Sequence, residues 1–213
     1  EVGALLWQDD LGYAVQLALF DAVGKALHVP AHRLLGTKVR DWCPLSWWTI
    51  DLQAQDWAQQ CAEAVERGYT SAKLKTRTMY DLHAGIRAIL EVIPPQFRLD
   101  LDFNGSLVTA AQALPLLKSL EQYDEVVMIE TPIPQGDIAG NQHLRQRLNR
   151  PIAMHIGDPP LATALKQDVT DGFILGAPAR ELLKLASICE VANKPFWLQM
   201  AGTGITTAWA AHV

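Results

Sequence analysis

The chain has 213 residues, 49% of them hydrophobic, and a mean hydropathy of +0.05. Those values describe a globular protein with a sizeable core, arranged as one large domain or two small ones. The sequence has no run of about 18 apolar residues, so no transmembrane helix is expected, and the net charge of −5 argues against a nucleic-acid binder.

Cys43, Cys61 and Cys189 are scattered and odd in number, with no metal spacing and no evident disulfide framework. The first ten residues lack the basic start and cleavage pattern of a signal peptide. A reducing, cytoplasmic compartment is therefore expected.

Residues 12–28 read as a helix, with Val15, Leu19, Val23, Phe20 and Leu27 recurring at helical spacing. Pro30 stops it, and Arg33-Leu34-Leu35-Gly36 reads as a short turn closed by glycine. From Cys43 the pattern becomes periodic. Strands are predicted over 44–50, 69–75, 97–103, 125–130, 151–156, 172–175 and 195–199. Helices are predicted over 52–67, 81–92, 107–120, 140–148, 160–167, 180–192 and from 205 on, with Pro115 kinking the third of these. Strict alternation with short loops implies parallel strands. Mostly continuous apolar strands imply helices over the outer face. No glycine-rich phosphate fingerprint follows the first strand, which counts against a dinucleotide-binding open sheet. Seven or more such units favour a closed barrel.

In a parallel barrel, chemistry sits at the C-terminal strand ends. Those ends carry Lys73 and Lys75 on the second strand; Asp100, Asp102 and Asn104 on the third; and Glu130 on the fourth. The fifth supplies His155 and, in the following loop, Asp158; Gly176-Ala177-Pro178 follows the sixth and Gln199 ends the seventh. Lys73 and Lys75 are two apart and point to one face of a strand, where two ammonium groups roughly 7 Å apart repel. In a low-dielectric pocket one of them is expected to be neutral near pH 7 and able to take a proton from a carbon acid. The plainer reading is a strand end with two solvated lysines. Asp102 and Glu130 are costly to bury unless compensated, either by a hard divalent cation or by the lysines as salt bridges. Asp100 lies one layer deeper and is a further partner for the lysines. His155 is read as a hydrogen-bonded core histidine or as a ligand, and the tryptophans, Trp47 and Trp48 included, as packing.

The order Lys-Leu-Lys, Leu-Asp-Phe-Asn, Ile-Glu-Thr-Pro resembles the mandelate racemase and muconate lactonizing branch of the enolase superfamily. The stretch from Ala18 to Leu27, followed by Pro30 and Arg33-Leu34-Leu35-Gly36, is similar to the segment just before that family's barrel. The resemblance covers nearly the whole chain. It implies an α/β fold: a TIM-type (β/α)7β barrel, here lacking most of the N-terminal α+β capping domain and the last strand. Residues 1–40 would be the end of the capping domain and its linker helix, and 41–213 a barrel truncated at the C-terminus.

The resemblance also implies a reaction: metal-assisted abstraction of the proton α to a carboxylate, of acid-sugar dehydratase or racemase type. Asp102 and Glu130 match two Mg²⁺ ligands. Lys75 matches the base, and Lys73 the neighbour that tunes it and meets the carboxylate. Asn104 and Gln199 fall to substrate binding. The third ligand position is altered, with His155 or Ile156 in register and Asp158 slightly late, so Mg²⁺ is expected to bind weakly or not at all. Ala177 and Gln199 stand where a second base would be, leaving the catalytic set incomplete. The expected partner is a small-molecule carboxylate, with no nucleic acid and no membrane, in a homo-oligomer when full length. Two alternatives remain: a catalytically inactive homologue with a binding or structural role, and a barrel lyase forming a Schiff base through Lys73 or Lys75.

Overall fold

The computed structural model describes residues 2–200 and 202–213. The chain opens with helix α1 (Val2–Leu6), a 3-10 turn (Asp9–Leu11), α2 (Gly12–Leu27) and α3 (His32–Leu35). Alternation follows: β1 (Trp47–Thr49), α4 (Ala54–Glu66), β2 (Ser71–Lys75), α5 (Leu82–Leu90), β3 (Arg98–Asp102), α6 (Ala110–Leu120), β4 (Val126–Glu130), α7 (Ile138–Arg147), β5 (Ile152–His155), α8 (Leu161–Gln167), β6 (Gly172–Leu175), α9 (Ala179–Val191), β7 (Phe196–Leu198) and α10 (Gly204–His212). Every strand–helix unit read from the sequence is present, with element ends shifted by a few residues. The third helix of the alternating part, α6, starts at Ala110, not at 107, for a local reason. Val108 has φ +64°, Thr109 is extended, and the Thr109 hydroxyl accepts from the Gln112 amide as an N-cap. Asp81 and Asp137 cap α5 and α7 in the same way.

The chain divides into two compact units. In Pro44–Phe173, β1 to β5 lie side by side in sequence order and all run parallel. Period-two alternation sorts their side chains. Ala72, Leu74, Leu99, Leu101 and Ile129 join a buried cluster with Trp57, Ile86, Ile89 and Leu117 from the helices. Lys73, Lys75, Asp100 and Asp102 fall on the alternate positions. Cys61 is buried in the same cluster, and burial pushes its thiol up to about 12.

Trp57 ties α4 to the strand layer, its indole nitrogen donating to the Ile50 carbonyl at 3.0 Å. Its ring also explains Gly85 on α5, because a β-carbon there would meet Trp57 Cε3 at 2.7 Å. We expect Gly85→Ala to lower stability by about 1–2 kcal/mol, overpacking outweighing the gain in helix propensity. The midpoint of urea unfolding tests this, and a stabilised variant would mean that the indole shifts without strain.

The second unit comprises the chain up to Cys43 and Ile174–Val213. Its core is Leu6, Phe20, Ala179 and Trp209, with the Phe20 and Trp209 ring centroids 5.0 Å apart. The start of α9 has no cap from its own neighbourhood. Instead Gln16 Oε1 accepts from the Ala179 amide at 2.7 Å, and the Asp9 carboxylate accepts from the Arg180 and Glu181 amides at 3.2 and 2.9 Å. These bonds satisfy the free N–H groups of the first turn and place a negative charge at the positive end of the helix. At the strands of this unit, the Gln199 amide donates to the Leu175 carbonyl. No described helix is long and apolar enough to cross a membrane.

Candidate active site

The parallel register aligns the ends of three adjacent strands. Lys75 pairs with Asp102, Asp102 with Glu130, and two residues earlier Lys73 pairs with Asp100. A register shift between Leu99 and Asp100 inserts one extra residue of β4, so that Glu130 comes level with Asp102.

The side chains meet there. Lys73 Nζ lies 2.5 Å from Glu130 Oε1 and 3.1 Å from Asp102 Oδ2. Lys75 Nζ lies 2.5 Å from the same Asp102 oxygen and donates to Asn104 Oδ1 at 2.8 Å. The Asp102 and Glu130 side chains are fully buried and that of Lys73 is 8% exposed. Asn104 lies past the strand end, in the left-handed region at φ +47°. From there its amide donates to Asp102 Oδ1 at 2.9 Å. His155 Nε2 comes within 3.2 Å of Glu130 Oε1. Asp158 is exposed, and its carboxylate lies against Gly136. Gln199 belongs to the other compact unit.

The electrostatics settle the charge of Lys73. Burial pulls the Lys73 pKa down, but the Glu130 and Asp102 carboxylates outweigh it, and the net shift is upward. Mutual repulsion therefore does not leave Lys73 neutral; it is a paired cation. Burial works to raise Asp102, yet Lys73 and Lys75 hold its carboxyl below the usual range. Asp100 behaves oppositely, held well above the usual carboxylate value by burial first and by neighbouring Glu130 second. Asp100 Oδ1 and Glu130 Oε2 are buried without a hydrogen-bond partner.

The donor chemistry can be set against a Mg²⁺ site. Mg²⁺ demands near-octahedral oxygen coordination. Asp102 and Glu130 offer two carboxylates, both engaged by ammonium groups, and the nearest side chain from β5 is an imidazole. Among the described residues, no group of three or more His, Cys, Asp or Glu side chains is placed to hold a metal ion. The residues present do not fit a Mg²⁺ centre.

Two residues of the cluster were not singled out from sequence. Arg77 donates from Nη2 to Asn104 Oδ1 at 3.0 Å and from Nη1 to the Thr76 carbonyl at 2.8 Å. It continues the Lys73–Lys75 spacing of two, which was the available signal. Gln135, in the loop after β4, left no local signal. Its Nε2 donates to the carbonyls of His155 (3.0 Å) and Asp158 (2.7 Å), while its Oε1 accepts from the His155 amide at 2.9 Å and the Thr131 hydroxyl at 3.2 Å. One side chain thus fixes the end of β5 and with it the His155 ring. We expect Gln135→Leu to cost about 2 kcal/mol, through backbone groups left unpaired. It should also shift the His155 imidazole resonances in an NMR spectrum; unchanged resonances would show that β5 holds the ring unaided.

Against known proteins, residues 56–213 match the family model described as enolase C-terminal domain-like. The N-succinyl-L-Arg/Lys racemase of Bacillus cereus is 27% identical over 146 residues, covering 68% of this chain and 39% of that protein. Its solved structure superposes with a TM-score of 0.80 at 23% identity, over 94% of this chain and 56% of that one. The D-galactonate dehydratase of Variovorax paradoxus is 30% identical over 141 residues, 62% of this chain and 36% of that protein. A solved enolase from Bradyrhizobium, complexed with magnesium and mandelic acid, superposes with a TM-score of 0.72 at 26% identity, over 87% of this chain and 54% of that one. The chain therefore spans only part of each relative. Because the family match runs through every strand that carries the lysine–carboxylate cluster, the chain belongs to the enolase C-terminal domain-like family, in the mandelate racemase and muconate lactonizing branch of the enolase superfamily.

Proposed function

We propose that this chain carries the proton-transfer machinery of an enolase-superfamily lyase or isomerase acting α to the carboxylate of a small acid, of acid-sugar dehydratase or racemase type. The observation that supports this most is the convergence of Lys73 and Lys75 on Asp102 at the C-terminal ends of adjacent parallel strands. Lys75, the more exposed of the two, is the base: in its neutral form Nζ takes the α-proton, and the C–H electron pair moves into the carboxylate to form an enediolate. Lys73, kept charged by its carboxylates, is the fixed cation facing the negative charge that develops. Asn104 orients Lys75.

The test is incubation of the 213-residue chain in D₂O with a panel of sugar acids and N-succinylamino acids, following the α-proton signal by NMR. Exchange with at least one member is expected. A folded chain that exchanges none overturns the proposal in favour of a carboxylate-binding homologue without turnover, the reading that the short donor set favours. Borohydride trapping with a keto acid should give no adduct on Lys73, which two carboxylates hold, nor on Lys75, whose proposed role is proton transfer without a covalent bond; an adduct on either would favour a Schiff-base lyase.

A further inference from the structure

We propose that Lys73 is the resident cation of the Asp102–Glu130 pair, so that this site takes up Mg²⁺ only when Lys73 is removed or a third carboxylate is added. Lys73 Nζ sits 2.5 Å from Glu130 Oε1 and 3.1 Å from Asp102 Oδ2, bridging the two carboxylates that the family resemblance would assign to a metal. Lys75 takes the same Asp102 oxygen at 2.5 Å. Two carboxylates facing two ammonium groups are already neutralised. A divalent ion would bring two further positive charges into a space where both carboxylate side chains are fully buried and two ammonium groups already stand, so like-charge repulsion opposes it. The group that β5 brings to Glu130 is the His155 imidazole at 3.2 Å, which adds no negative charge and is a poor ligand for Mg²⁺. Asp158, the nearest acid in sequence, is exposed beside Gly136.

This inference concerns the site of the proposed function. It is read through metal binding and not turnover, so either can fail alone. Mg²⁺ and Mn²⁺ are titrated calorimetrically into wild type, Lys73→Met and His155→Asp, and each is melted with and without the ions. Lys73→Met frees Glu130 Oε1, leaves Asp102 held by Lys75 alone, and removes one positive charge, so it should bind Mg²⁺ at least about tenfold tighter than wild type, with its melting temperature raised by the ion. His155→Asp supplies the missing charge from a partly exposed position and should gain affinity by a similar factor. If Lys73→Met does not fold even with the ions present, His155→Asp decides. Wild-type binding as tight as in either variant, or no gain in the folded variants, overturns the inference. So does a wild-type Mg²⁺ site that vanishes in Asp100→Asn, since the third carboxylate would then be Asp100.

Discussion

Replacing Lys75 by alanine should reduce exchange of the substrate α-proton by about 10²–10⁴-fold, the range that a positioned general base contributes. The amine reaches Asp102 and Asn104 without being sealed in, so a substrate can approach it. The fold should survive, because Asp102 retains Lys73 at 3.1 Å and the Asn104 amide at 2.9 Å. Lys75→Arg separates the two roles of this side chain. Arginine keeps the positive charge but does not deprotonate in proteins. If Lys75 is the base, the arginine variant should be as inactive as the alanine variant. If it acts only as a charge, arginine should preserve exchange. Full exchange in Lys75→Ala would remove it from catalysis altogether.

The largest effect on stability is expected from Lys73→Met. Removing one partner of a buried ion pair leaves the other charge uncompensated, which typically costs about 3–5 kcal/mol. Here one side chain serves two buried carboxylates, so a value near the top of that range is expected in the absence of divalent ions. The sign of the pH dependence follows from the shifts. Lys73 is raised above its usual 10.5, so its contribution is complete below 10.5 and disappears only as pH climbs through the raised value. Asp102 is lowered below its usual 3.8, so its contribution is in place above 3.8 and is lost as pH falls through the lowered value. Between these limits the Lys73–Asp102 ion pair is in place. In Lys73→Met, Glu130 loses its ammonium partner and Asp102 keeps only Lys75, so burial favours taking up a proton. The stability difference between variant and wild type should therefore be largest at pH 7 and shrink toward pH 4. Urea unfolding at several pH values measures it; a difference constant with pH would mean that the methylene stem, and not the charge, carried the stabilisation.

The sequence read well where physical cause is local. Alternation of short apolar runs with amphipathic stretches located every strand and helix of the repeating part, because a parallel strand buried on its outer face must be apolar there and its helix must present one apolar stripe. Period two placed Lys73 and Lys75 on one face and Asp100 and Asp102 on one face, and the structure puts Lys73, Lys75 and Asp102 in contact. Element ends were less legible. Val108 at φ +64° is a conformation that a β-branched residue seldom adopts, and no propensity argument places a helix start after it.

Periodicity and spacing by themselves located the alternating parallel strands and helices and the strand ends that carry charge, and the family entered through the resemblance of the Lys-Leu-Lys, Leu-Asp-Phe-Asn and Ile-Glu-Thr-Pro motifs. Tertiary structure decided how the charges combine. The extra β4 residue that brings Glu130 level with Asp102 is a property of strand pairing, invisible along either strand alone. Gln135 closing over the end of β5, and Gln16 and Asp9 capping a helix more than 160 residues away, depend on approaches that no local pattern encodes. Lys73 is a paired cation and not a neutral amine because two carboxylates from neighbouring strands lie within about 3 Å of it. At such distances in a buried site, the attraction of opposite charges outweighs both desolvation and the repulsion of a second lysine.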